Sequence, residues 1–333
     1  MPIAARNKRE GHQGFRSAAA SLVVLGVDAV LLVVPKSATG FPLPFPLTYY
    51  HAVFTGFWAV VTAAVAKFCR PLERPAERSG YEEKFTFFQE ARRKVIHVML
   101  LTYCVAFTVG RLIFEVVWER VYGPQGWINT AEHQHNVENL AVGDPLLVGA
   151  TVLTFALVCS CSVQASAEIV RHRFPGRRYP LRKTLELNRR PSERGTFITH
   201  MHLTPALLFA SLVLNWPAPA PRAEHQGAYS TMAVIFVTAL ADMAAAIVGR
   251  RFGRHPWKVV EKKTIEGSAA GVVVAFVASA PFVGWRLGLG AGVVFLVTDV
   301  VLARANISDN LTTPVFLALL FALGRPWVIP SPL

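Results

Sequence analysis

The chain runs to 333 residues, of which 53% are hydrophobic and 17% charged, and its mean hydropathy is +0.38. Soluble domains carry about 25% charged residues, so the composition argues against a water-soluble globule. The net charge of +13 would suit nucleic acid, but the bases alternate between loops instead of forming one patch, and no nucleic-acid partner is expected.

Windows of roughly 20 apolar residues, enough to cross a hydrocarbon core of about 30 Å, recur along the chain. Taken in order they predict about nine spans: Ser17 to Pro35, Pro46 to Cys69, Val95 to Trp118, Pro145 to Val170, Thr196 to Trp216, Ala228 to Val248, Gly267 to Val283, Leu287 to Ala303 and Leu311 to Leu323. Backbone groups in lipid must be satisfied within their own segment, so the expected fold is an all-α polytopic transmembrane bundle. The 23 Gly and 22 Pro then serve close helix contacts and breaks between spans.

Basic residues fill the N-terminal segment (Arg6, Lys8, Arg9, Arg16) and the loops at 70–94, 171–194 and 250–263, while the loops between these are nearly neutral. By the positive-inside rule the N-terminus and the basic loops are cytoplasmic and the C-terminus lies outside. The four cysteines, Cys69, Cys104, Cys159 and Cys161, fall in or at the ends of apolar spans and make no C-x-x-C pair, so they read as structural thiols.

Charged groups in or beside a span are costly and therefore mark candidate sites. In chain order, EARRKVIHV (Glu90 to Val98) aligns Glu90, Lys94 and His97 on one helical stripe, with Arg93 a turn before His97; the plainer reading is a snorkelling anchor. Glu168 with Arg171 and His172 makes a helix-end ion pair or little more. In ADMAAAIVGRRFG (Ala241 to Gly253), Asp242 lies seven residues before Gly249, roughly 10 Å inside the helix end. A carboxylate at that depth needs a cation, a partner or a polar cavity.

In KKTIEGSAAG (Lys262 to Gly271), two lysines stand at a helix start against its dipole, where an anion such as phosphate would relieve them. Glu266 follows in the first turn, and Gly267 and Gly271 leave the face open. In SDNLTTP (Ser308 to Pro314), Asp309 caps the last helix or ligates a metal beside Asn310. All five clusters fall on the cytoplasmic side of this topology. The chain has no P-loop, GWRLGLGAG (Gly284 to Gly292) reads as helix packing, and the pairs His133/His135 and His200/His202 lack the further ligands of a metal site.

The run ADMAAAIVGRRFGRHPWKVVEKKTIEGSAAG resembles the membrane family of CTP-dependent polyprenol kinases, which includes phytol, dolichol and yeast-type diacylglycerol kinases. The resemblance rests on Asp242, Gly249, Arg250, Gly253, Lys262, Lys263, Thr264, Glu266, Gly267 and Ser268, with DNLTTP and ARRKVIHV matching the family's closing and early motifs. Ala241 stands where the family usually has glycine, and the acid usual before D-N-L is missing or displaced to Asp299. Residues 1–80 are expected to be an N-terminal segment with two spans outside the resemblance, and 81–333 the catalytic domain. The related phosphatidate cytidylyltransferases end in a K-D…P-G-H-G-G…D-R signature that this chain lacks.

The resemblance implies transfer of the γ-phosphate of CTP to the hydroxyl of a lipid alcohol, with Mg²⁺ as cofactor and the membrane lipids as surroundings. Asp242 would ligate the metal, joined by Asp309 or Asn310. Arg93, Lys94, Lys262 and Lys263 would hold the triphosphate, on a frame that includes Gly249, Arg250, Thr264 and Gly267. Glu266 or His97 would orient or deprotonate the hydroxyl. The alternatives are a cytidylyltransferase, which makes a CDP-lipid, and a transporter or scaffold in which Asp242 and the lysines bind an ion without chemistry.

Overall fold

A computed structural model describes residues 19–28, 30–31, 101, 104, parts of 153–168, 200–215, 223–258, 260, 263–302 and 307–324. The elements among them are helical: α1 (Ala19–Asp28), α2 (His200–Leu214), α3 (Ala223–Phe252), α4 (Ile265–Val283), α5 (Trp285–Leu296), a π-helical segment (Val297–Leu302) and α6 (Asp309–Leu323). No strand occurs among the described residues; a β-bridge pairs Pro256 with Thr264. The all-α expectation holds for them, as apolar sequence in lipid requires.

Gly227–Phe252, Ile265–Val283 and Trp285–Leu302 are long and apolar enough to cross a bilayer; a helix of 19 residues covers about 28 Å. Their boundaries shift from those expected. The sixth span continues to Phe252, carrying its basic end beyond the apolar run. The seventh opens at Ile265, because extended Thr264 caps it and its hydroxyl accepts the Gly267 N–H at 3.2 Å. The eighth changes winding at Val297. α2 and α6, at 15 residues each, are shorter than a full crossing. The second and third expected spans lie outside the described residues, apart from Leu101 and Cys104 in the third.

Small residues set the helix contacts. Where α3 crosses α4, a Cβ on Gly267 would come within 2.7 Å of the Ala245 carbonyl oxygen and 2.9 Å of the Gly249 Cα. Two backbones meet there because neither carries a side chain at the crossing. α4 and α5 form a hairpin joined at Gly284, whose φ of 82° is a conformation L-residues rarely adopt. Gly288 and Gly292 then let α5 lie against Ala280 and Val272, confirming a packing role for that glycine-rich run. α6 packs on α2 around Leu317, Phe321, Leu203 and Leu207, all fully buried. On the outside, Leu289, Val293, Val297 and Val301 form an exposed stripe at helical spacing, with Val273 and Val277 beside it on α4. Such a surface is stable against acyl chains and unstable in water.

The hairpin has one consequence for function. Chain direction reverses at Gly284, so the end of α3, the start of α4, the π segment and the start of α6 all lie at the same face.

Candidate active site

The loop between α3 and α4 doubles back on itself. The Trp257 N–H donates to the Lys263 carbonyl at 2.9 Å and the Ile265 N–H to the His255 carbonyl at 2.9 Å, which fixes Lys263 immediately before the Thr264 cap. Gly249 and Gly253 both press on Thr264: a Cβ on either would come within 2.9 Å of its Oγ1. The G-R-R-F-G run and the K-T-I-E-G run are therefore two halves of one turn.

Lys263 leans from this turn between two carboxylates. Its Nζ donates to Asp299 Oδ1 and, at 2.9 Å, to Asp309 Oδ2. The Ser268 hydroxyl donates to the other Asp299 oxygen at 2.8 Å and itself accepts from the Trp257 indole at 3.1 Å. Asp299 has 5% of its side chain exposed against 26% for Lys263 and 31% for Asp309, so the network runs from the interior to the rim. Burial works to lower the Lys263 pKa, but Asp309 and Asp299 outweigh it and hold the ammonium above the ordinary lysine range. Lys263 is a fixed cation.

Asp299 reaches this position from inside a π turn, a winding that recurs at functional sites because it re-aims the side chains it carries. The Thr298 and Thr313 hydroxyls, 2.8 Å apart, fasten that turn to α6. Next to the network lies a small pocket with room for about one water or ion. Asp242 and Thr238 line it from α3, Phe295 and Asp299 from the α5–π run, and Asp309, Asn310 and Thr313 from α6. Three carboxylates on three separate elements thus face one space, with Lys263 at its edge.

Among the described residues no three His, Cys, Asp or Glu side chains close on one point as a preformed metal shell would. The donor types nevertheless suit Mg²⁺, which takes one or two carboxylates and fills its other positions with waters and phosphate oxygens. Asp242 on α3 and Asp309 on α6 both line the pocket and can supply that pair.

Of the residues singled out in the sequence, the structure gathers Asp242, Lys263, Asp309 and Asn310 at this pocket. Thr264, Gly249 and Gly267 build the turn beneath it, and the glycine faces are filled by each other and by Thr264 instead of standing open. Glu266 points elsewhere: it accepts the His255 backbone N–H at 3.2 Å and lies 2.6 Å from that residue's Nδ1, tying the loop to α4. Arg250 is exposed at the end of α3. Arg93, Lys94, His97, Lys262, Arg171 and His172 lie outside the described residues, while Glu168 is buried. Trp257 is an ordinary residue in sequence and carries no signal there; Ser268 is legible only as the end of the K-K-T-I-E-G-S run and Asp299 only as a displaced acid, although an acid inside an apolar run is itself a signal.

A pocket of this composition, reached by two motif runs and a closing D-N-L, can be set against known proteins. The model of the cytidylyltransferase family matches residues 16–305, a range that takes in much of the N-terminal segment as well. The chain belongs to the cytidylyltransferase family. The chain is also similar to a phytol kinase of Synechocystis sp., 33% identical over 98 residues. That match covers 27% of this chain and 42% of the relative, so the chain spans less than half the length of the curated protein it matches. The likeness agrees with the polyprenol-kinase resemblance of the motif runs. No solved structure matches the chain.

Proposed function

We propose that this member of the cytidylyltransferase family is a multi-pass membrane lipid-alcohol kinase that transfers the γ-phosphate of CTP to the hydroxyl of a prenol or similar lipid, such as phytol, farnesol, dolichol or diacylglycerol. Its site faces the cytoplasm, where the nucleotide is. One observation carries the reading: Asp242, Asp299 and Asp309 meet Lys263 at the end of apolar helices, placing cation-binding and anion-binding groups side by side at a membrane face.

Phosphoryl transfer asks a protein for placement and charge neutralisation more than for covalent chemistry. The alcohol oxygen forms a bond to the γ-phosphorus, the bond from that phosphorus to the β–γ bridging oxygen breaks, and CDP leaves with the electron pair. The hydroxyl proton passes to a base, for which His97 is the candidate, since Glu266 is engaged by His255 away from the pocket. Mg²⁺, held by Asp242 with Asp309 or Asn310, would neutralise charge on the phosphate oxygens. In the structure Lys263 is already clamped by Asp299 and Asp309, so its charge is pre-oriented at the rim with Lys262, Arg93 and Lys94 as further phosphate partners. The phytol kinase likeness supports the choice of acceptor class.

The family name favours one rival: a cytidylyltransferase would move the CMP unit onto a lipid phosphate instead. Purified protein in nanodiscs, given either a lipid alcohol or phosphatidate together with CTP labelled at the γ- or the α-phosphate, separates the two. Label from the γ position in the lipid product supports the kinase. Label from the α position identifies a CDP-lipid synthase, and no lipid product with any alcohol or phosphatidate leaves a transporter or scaffold.

A further inference from the structure

α1 has two unlike faces. Leu22, Val23, Val27 and Val30 are exposed at 40–67%, as a lipid-facing surface would be. Ser21 and Asp28, two turns apart on the opposite face, are buried to 0% and 1%. The Ser21 hydroxyl lies 2.6 Å from Nδ1 of His202, a buried residue in the first turn of α2. Asp309 is close enough to act electrostatically on His202, so the upper end of this face adjoins the candidate active site. Two turns, roughly 10 Å, further along α1, Asp28 acts likewise on the Cys161 thiol. Neither of its carboxylate oxygens has a hydrogen-bond partner among the described residues.

A buried carboxyl with both oxygens unmatched is costly wherever it occurs, and in the interior of a membrane bundle it marks a place where something binds. The surroundings restrict what that is. α1 borders lipid on its other side, the Cys161 thiol is the group Asp28 acts on, and among the described residues no cationic side chain acts on Asp28. Among those residues a compact ion would find one carboxyl and no further ligand. A mostly apolar molecule with a single hydroxyl satisfies both the carboxyl and the apolar walls.

We propose that Asp28 is the docking group for the hydroxyl of the acceptor lipid, holding it inside the bilayer on a face that leads past Ser21 and His202 to Asp309. This rests on the reading that the acceptor is a lipid alcohol, and adds a subsite about two helical turns below the phosphates. At that separation the hydroxyl held by Asp28 is out of reach of the γ-phosphate and leaves Asp28 before it reacts. Asp28 therefore stabilises the bound acceptor and not the transition state, so its loss raises the acceptor KM and kcat together and leaves kcat/KM nearly constant.

The test uses the full chain in nanodiscs, radiolabelled phytol as the probe and phytane, the same skeleton without the hydroxyl, as competitor. Wild-type protein should bind phytol without nucleotide and resist competition by phytane. Asp28→Leu should weaken phytol binding by about tenfold or more, the ratio expected for a lost hydrogen bond to a carboxyl. Asp28→Asn, which still donates and accepts, should stay within about threefold of wild type. CTP affinity should be unchanged in both, and Asp28→Leu should melt no lower than wild type. Unaltered phytol binding in Asp28→Leu, an equal loss of CTP affinity, or a wild type that binds no phytol or yields it to phytane overturns the subsite. Phytol binding that depends on Asp28 in a protein that transfers no phosphate would sink the kinase reading and leave the subsite standing. Transfer to phytol with an unchanged acceptor KM in Asp28→Leu does the reverse.

Discussion

Asp299 and Asp28 are buried to nearly the same degree, 4% and 1% exposed, each in an apolar helical run, yet they are treated in opposite ways. Asp299 receives Lys263 on one oxygen and Ser268 on the other. Asp28 receives nothing on either from the described residues. Lys263 and Ser268 reach Asp299 from 36 and 31 residues away, so one network joins the loop, α4 and the π turn and extends through Asp309 to α6. Where several elements converge, the fold supplies the partner; where one helix faces lipid on its other side, a ligand is left to supply it. A closed network gives rigidity and fixed charge at the chemical end, and an open carboxyl gives capture at the membrane end.

The sharpest way to break this comparison is at Asp242, which shares the pocket with the closed network. Asp242→Asn should lower phosphoryl transfer on the order of 10³-fold, the scale of a lost electrostatic anchor, while the protein still inserts and melts normally; transfer at the wild-type rate would remove Asp242 from the metal site. Next in size is Lys263→Ala. It leaves Asp299 buried without its cation and should cost about 3 kcal/mol of stability, read from detergent or denaturant unfolding. It should also weaken CTP binding by about 1.5–3 kcal/mol. The pair Lys263→Met with Asp299→Leu should recover most of the stability and none of the turnover. A single Lys263→Ala variant as stable as wild type would mean that the network is not closed in solution.

Smaller effects probe the turn beneath the site. Gly267→Ala forces a Cβ to 2.7 Å from the Ala245 carbonyl, so it should destabilise by about 1–3 kcal/mol despite the better helix propensity of alanine; a rise in melting temperature would show that the crossing is looser. Trp257→Phe removes the indole donor to Ser268 and should cost about 1 kcal/mol, with Asp299 still paired to Lys263. The smallest effect concerns pH. Burial lowers the Lys263 pKa, but Asp309 and Asp299 raise it further, and the folded value lies above the unfolded one. The stability it contributes is therefore fully present below the unfolded lysine pKa of about 10.4 and is lost only as pH rises through the higher folded value. Between about pH 6 and 9 the network should show no pH-dependent loss of stability that Lys263→Met abolishes.

The sequence by itself determined the solvent and the secondary structure. Apolar runs of membrane length leave helix as the only way to satisfy the backbone, and the helices over Ala223–Phe252, Ile265–Val283 and Asp309–Leu323 lie where those runs predict. It also marked Asp242, Lys263 and Asp309, because charge beside lipid is costly enough to stand out without a structure. Only the tertiary structure decided how these groups are used. The pairing of Lys263 with Asp299 through the π turn, and the filling of the Gly249 and Gly267 faces by each other, appear only in three dimensions. Pairing across 36 and 46 residues depends on where the Gly284 hairpin returns the chain. Whether a buried carboxyl has a partner is a property of its neighbours in space, which no local pattern of residues around Asp299 or Asp28 records.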